Sequence, residues 1–221
     1  LRKYFLFSDT AMQEWVIYAK FFASLLAIVN PIGATPVFIG LTEGMSAYRR
    51  RNTALMAATS VGVVLLLALF VGESILNFFG ITIASFRVGG GILILLIAIS
   101  MMHAKISPAQ QTEEEAQDAA DKESVAVVPL AIPLMAGPGA ISTTIVYTAR
   151  SPDIMHHLVL ALEIILVACL IWLVLRLAPL LARRLGRIGI NVLTRIMGLI
   201  LAAIAVEFMA SGLRQLLPGL A

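Results

Sequence analysis

The chain has 221 residues, 60% of them hydrophobic and 13% charged, with a formal net charge of +3. A mean hydropathy of +0.95 lies outside the balance of a soluble domain, so by composition this is an integral membrane protein. One cysteine excludes a disulfide framework and a thiolate metal cluster. The small basic excess sits in short loops beside apolar runs, where it orients a membrane protein rather than marking a nucleic-acid surface.

Residues 1–13 are mixed in character and interfacial. Six apolar runs follow, at 14–42, 52–79, 83–103, 125–149, 155–181 and 192–217. Each is long enough to cross a hydrocarbon layer of about 30 Å as a helix, and glycine and proline inside the runs argue against barrel strands. The expected fold is an all-α membrane protein with six transmembrane helices.

The first and fourth runs are interrupted. Asn30-Pro31-Ile32-Gly33-Ala34-Thr35-Pro36 breaks one, and Pro133-Leu134-Met135-Ala136-Gly137-Pro138-Gly139-Ala140-Ile141-Ser142 breaks the other. Proline removes a backbone donor and glycine loosens the helix, so both runs are expected to unwind at membrane depth. Such backbone is tolerated only where protein or a wet cavity satisfies it, and paired interruptions in two halves point to a substrate site.

The third loop carries Glu113, Glu114, Glu115, Asp118, Asp121 and Glu123 against Lys105 and Lys122, with Pro108 as a breaker. It divides the membrane domain into residues 1–103, a linker 104–124 and residues 125–221. Arg49, Arg50, Arg51, Lys105, Lys122, Arg183, Arg184 and Arg187 fall in the first, third and fifth loops. The other side holds chiefly Arg2, Lys3, Lys20, Arg150 and Arg214. Positive loops face the cytoplasm, so the linker is expected there and both termini outside.

The halves also match at their third spans, where Phe86-Arg87-Val88-Gly89-Gly90-Gly91-Ile92-Leu93 resembles Thr194-Arg195-Ile196-Met197-Gly198-Leu199-Ile200-Leu201. Pairing the arginines gives an offset of 108, and pairing Pro31 with Pro138 gives 107. Two repeats of three spans must enter the membrane from opposite sides, giving inverted three-helix repeats with discontinuous helices 1 and 4. That symmetry suits a carrier with exchangeable inward and outward states.

The segments NPIGATPVF, FGITIASFRVGGGILI, VPLAIPLMAGPGAIST and LTRIMGLILAAIAVEFMASGL occur in order along nearly the whole chain. With them the chain resembles the MarC family of bacterial inner-membrane proteins. The SnatA-like branch of that family carries small neutral amino acids such as glycine and alanine. The resemblance therefore implies a multi-pass inner-membrane transporter of that solute class.

A helix that starts inside the membrane presents free N–H groups and partial positive charge, and so receives a carboxylate without a buried arginine. The candidate binding residues are Asn30, Pro31, Gly33, Thr35 and Pro36 at the first break, and Gly137, Pro138, Gly139, Ser142 and Thr143 at the second. Against this stands a plain packing kink repaired by neighbouring helices. Small residues dominate both breaks, with Phe38 the one aromatic beside them, which fits a small solute.

Glu207 and Glu163 lie deep in the sixth and fifth runs, where a carboxylate must be paired, protonated or facing a cavity. Both are coupling candidates, Glu207 foremost; the bland reading is a neutral acid bonded to its own helix or paired with Arg87 or Arg176. Arg87 and Arg195 are gating candidates that would brace the broken helices, unless they snorkel to headgroups. His103, His156 and His157 sit at span ends, so no metal or haem is expected, and no cofactor beyond a coupling proton or sodium ion. Nucleotide-binding and hydrolase motifs are missing, so the chain is not expected to be an enzyme. The expected partners are a small neutral amino acid, the lipid bilayer and a second copy of the chain. The rival functions are a non-transporting scaffold or regulator and an efflux protein for another small solute.

Overall fold

The computed structural model describes residues 2–42, 44–103 and 135–220, and these are helical, with no strand among them. In order they form α1 (Arg2–Val29), α2 (Thr35–Leu41), α3 (Ala47–Phe78), α4 (Ile83–Met102), α5 (Pro138–Thr148), α6 (Ile154–Arg176) and α7 (Ala178–Leu216). A 3-10 turn, Pro218–Leu220, closes the chain. Four stretches are long and apolar enough to cross a membrane: Ala47–Phe78, Ile83–Met102, Ile154–Arg176 and Ile188–Leu216. The first expected run is divided between the apolar part of α1, Trp15–Val29, and the short α2. The expected linker 104–124, and the fourth run up to residue 134, lie outside the described residues.

Local chemistry sets the helix ends. The Ser46 hydroxyl accepts the Arg49 N–H at 3.3 Å and starts α3, ahead of the expected boundary at 52, because nothing between them breaks a helix. Gly80, at φ 68°, ends α3: its N–H donates to the Asn77 carbonyl and that of Ile81 to Leu76, at 3.1 and 2.9 Å. These two bonds satisfy carbonyls that the helix end leaves free, and only glycine adopts the turn without strain. Thr82 then caps α4 by accepting the Ser85 N–H at 3.1 Å.

In α7, Gly186 adopts φ 62° and ψ 178°, a corner between Ala178–Leu185 and the final span. That region of conformational space is essentially closed to residues with a Cβ.

The core stripe of α6 is His156, Leu160, Ile164, Val167, Ile171 and Leu175, spaced three or four apart. The short α5 is the innermost element, buried from Gly139 to Ala140 and from Ser142 to Thr148. It packs against α1, α3, α4 and α6. This burial explains its threonines: Thr143, Thr144 and Thr148 each donate to the carbonyl four residues earlier at 2.9 Å, so no hydroxyl is stranded.

The closest helix pair is α4 with α7, and glycine makes it close. A Cβ built on Gly91 would lie 2.7 Å from Met209 Cγ and 3.0 Å from the Ala205 carbonyl oxygen. A Cβ on Gly198 would lie 3.0 Å from the Ala98 carbonyl oxygen and 3.2 Å from Met102 Cγ. Gly198, Ala205 and Met209 each follow Gly91, Ala98 and Met102 by 107 positions, so the two contacts are the same contact with the helices exchanged.

Candidate functional site

The first break is a turn built by Asn30. It adopts φ 44°, the left-handed region that asparagine tolerates better than most side chains. Its Oδ1 accepts the Gly33 N–H at 3.1 Å, and its Nδ2 lies 4.0 Å from Met101 Sδ on α4. Gly33 is required because a Cβ there would collide with that amide. Pro31 is buried in the turn, and Thr35 is fully buried with its hydroxyl donating to the Pro31 carbonyl at 3.2 Å. Pro36 lies in the first turn of α2, where the missing N–H costs no helix bond. Phe38 is fully buried.

At the second break, extended Gly137 precedes Pro138, which opens α5. The Gly137 carbonyl accepts from Ala140 and Ile141 at 3.0 and 3.2 Å. A Cβ on Gly139 would meet Ile94 and Ile97 at 3.2 Å and Ile28 at 3.4 Å. Ile28 is the last turn of α1 before Asn30, so the end of one interrupted helix touches the beginning of the other. Ser142, 3% exposed, faces Gly90 of α4, and Thr143 is fully buried with its hydroxyl bonded to the Gly139 carbonyl at 2.9 Å.

The charged candidates separate. Arg87 is 9% exposed and does not reach outward; one guanidinium nitrogen donates to Ser211 Oγ of α7 at 2.8 Å, while its buried Nε has no partner among the described residues. Arg195 is exposed. Glu207 lies on the exposed face of α7 between buried Ala205 and Phe208, whereas Glu163 is half-buried in α6 with one buried oxygen unpartnered among the described residues. Arg176 stacks over Trp172, its guanidinium carbon 5.1 Å from the ring centroid. Cys169 is exposed on α6, beside Gly62 and Trp172 in an apolar groove against α3.

A polar cluster not singled out in the sequence ties the ends of α1, α5 and α6 together. His156 is 6% exposed; Nε2 lies 2.9 Å from the Tyr147 carbonyl and Nδ1 3.2 Å from the Tyr18 hydroxyl. The carbonyl requires a proton on Nε2, leaving Nδ1 of the neutral ring to accept from Tyr18. Tyr147 stacks on Phe21 and Phe208 at 5.2 and 6.3 Å, and Arg150 covers its ring at 4.3 Å. His157 is bonded to the Asp153 carbonyl at 2.8 Å and His103 to the Ile99 carbonyl at 2.8 Å. Among the described residues, no group of three metal-ligating side chains occurs.

Four apolar spanning helices around a short buried helix define a multi-pass helical membrane protein. The family model described as "MarC family integral membrane protein" matches residues 15–217, and the chain belongs to that family. UPF0056 membrane protein YhcE of Escherichia coli is 47% identical over 207 residues, covering 94% of this chain and 96% of that one. A UPF0056 membrane protein of Aquifex aeolicus is 38% identical over 209 residues, covering 94% and 98%. One from Methanocaldococcus jannaschii is 42% identical over 197 residues, covering 87% and 94%. No solved structure matches.

Proposed function

We propose that the chain is a secondary transporter of small neutral amino acids, of the glycine, alanine and serine class, working by alternating access across the bacterial inner membrane. The carrying observation is the meeting of two helices interrupted in apolar runs: α1 stops at Asn30, α5 starts after Gly137, and Gly139 lies against Ile28. Irregular backbone in a membrane protein belongs where it is sheltered and used. The breaks, with Asn30, Gly33, Thr35, Gly137, Gly139, Ser142 and Thr143, form the central site. The solute class rests on the SnatA-like resemblance; the names of the relatives state only a membrane protein.

The six-span, inverted-repeat architecture draws support from the exchanged contacts of Gly91 and Gly198. Their spacing of 107 agrees with that of the prolines and aligns Arg87 with Thr194 rather than Arg195. The burial of Arg87 and the exposure of Arg195 agree with that register. The end that gathers Tyr18, Arg87, Tyr147, His156 and Ser211 carries few basic loops and is assigned to the periplasm with both termini. A scaffold is the second reading, favoured by the Thr35 and Thr143 hydroxyls being bonded to the backbone carbonyls four residues before them.

Flux of radiolabelled glycine and alanine into proteoliposomes tests the proposal. Saturable, mutually competing uptake is expected. Uptake no greater than in protein-free vesicles, with or without a proton or sodium gradient, would leave the scaffold.

A further inference from the structure

Where α5 hands over to α6, Ile17, Tyr18, Arg150, Ser151, Asp153, Met155 and His156 enclose a cavity of about 170 Å³. That is room for roughly five waters at ~30 Å³ each, comparable with the heavy atoms of glycine or alanine. Its floor is rigid: His156 is bonded on both ring nitrogens, and Tyr147 is held by two rings. Arg150 and Asp153 present opposite charges to this space, and neither forms an ion pair among the described residues. Arg150 instead lies on the Tyr147 ring, and Ser151 Oγ accepts the Asp153 N–H at 3.3 Å.

We propose that this pocket is a zwitterion-binding vestibule, in which Arg150 receives the carboxylate of a small α-amino acid and Asp153 its ammonium. Ile17 and Met155 give the pocket its apolar lining. The identity of the solute rests on the transport reading above; the paired-charge chemistry does not. A phosphatidylethanolamine headgroup carries the same two charges, and the test separates the two sources.

The purified protein in detergent is melted with glycine, acetate, methylamine or O-phosphoethanolamine at fixed ionic strength. Glycine raises the melting temperature of the wild type most, with acetate and methylamine weaker because each meets one charge. In Arg150→Gln and Asp153→Asn the apparent glycine affinity falls about tenfold or more. Glycine shifts unchanged in both Arg150→Gln and Asp153→Asn would overturn the proposal. So would stabilisation by O-phosphoethanolamine with none by glycine, which would assign the pocket to lipid. Glycine binding that depends on Arg150 without any vesicle flux would remove the transport reading and leave the vestibule. Flux with binding indifferent to Arg150 would do the reverse.

Discussion

Gly91 rests directly on the backbone of Ala205: a methyl group on it would come within 3.0 Å of that carbonyl oxygen. Two apolar helices gain little from hydrophobic burial inside a bilayer, so close backbone approach is what holds α4 to α7. Gly91→Ala and Gly198→Ala should each force the pair apart and cost about 1–3 kcal/mol. Gly89, with nothing within 4 Å, is the internal control. Gly89→Ala should melt at or slightly above the wild type, and equal melting of all three variants would remove glycine contact as the cause.

The turn at Asn30 makes an ordered series. Asn30→Gly keeps the left-handed backbone and loses the amide bond to Gly33; Asn30→Ala loses both. The alanine variant should be destabilised by about 1–2 kcal/mol beyond the glycine variant. Gly33→Ala should resemble Asn30→Ala, because its methyl displaces the same amide. Thermal melts of the three, followed by glycine and alanine uptake, check the order.

The two carboxylates are distinguishable by burial. Glu163→Leu removes a buried oxygen that has no partner and should raise the melting temperature. If that oxygen carries the coupling proton, Glu163→Gln should lose pH-gradient-driven uptake while keeping exchange. Glu207→Gln, altered on an exposed face, should keep both. Loss of driven uptake in the Glu207 variant alone would return the coupling role to that residue.

His156 joins three elements through one ring. Tyr18→Phe removes one of its two bonds and should cost about 1 kcal/mol, while His156→Ala leaves the Tyr147 carbonyl without its donor and opens a hole, costing about 2–4 kcal/mol. Cysteine labelling at Ser151 should rise more in His156→Ala than in Tyr18→Phe if that end loosens first.

The longitudinal facts were legible in the residues. Proline and glycine announced the turn at Asn30 and the helix start at Pro138, and Gly80, Ser46 and Thr82 stop or start helices for reasons local to themselves. Rotation about each helix axis was not. In a membrane the outward face is as apolar as the inward one, so the sequence around Glu207 and Glu163 gave their depth without saying which faced the interior. The same ambiguity hid the burial of Arg87 and the exposure of Arg195. The polar pocket was hidden for another reason: Tyr18, Arg150 and His156 are joined only by the fold.

The corner at Gly186 divides α7 into two rods meeting at a single residue, with exposed Arg183 and Arg184 on the shorter rod. A continuous helix would turn every jolt on that basic arm into a tilt of the rod beyond it. Here no run of helical hydrogen bonds crosses Gly186, and the longer rod is packed against α4 at Gly198, so whatever couples the basic arm to the bundle passes through one backbone position.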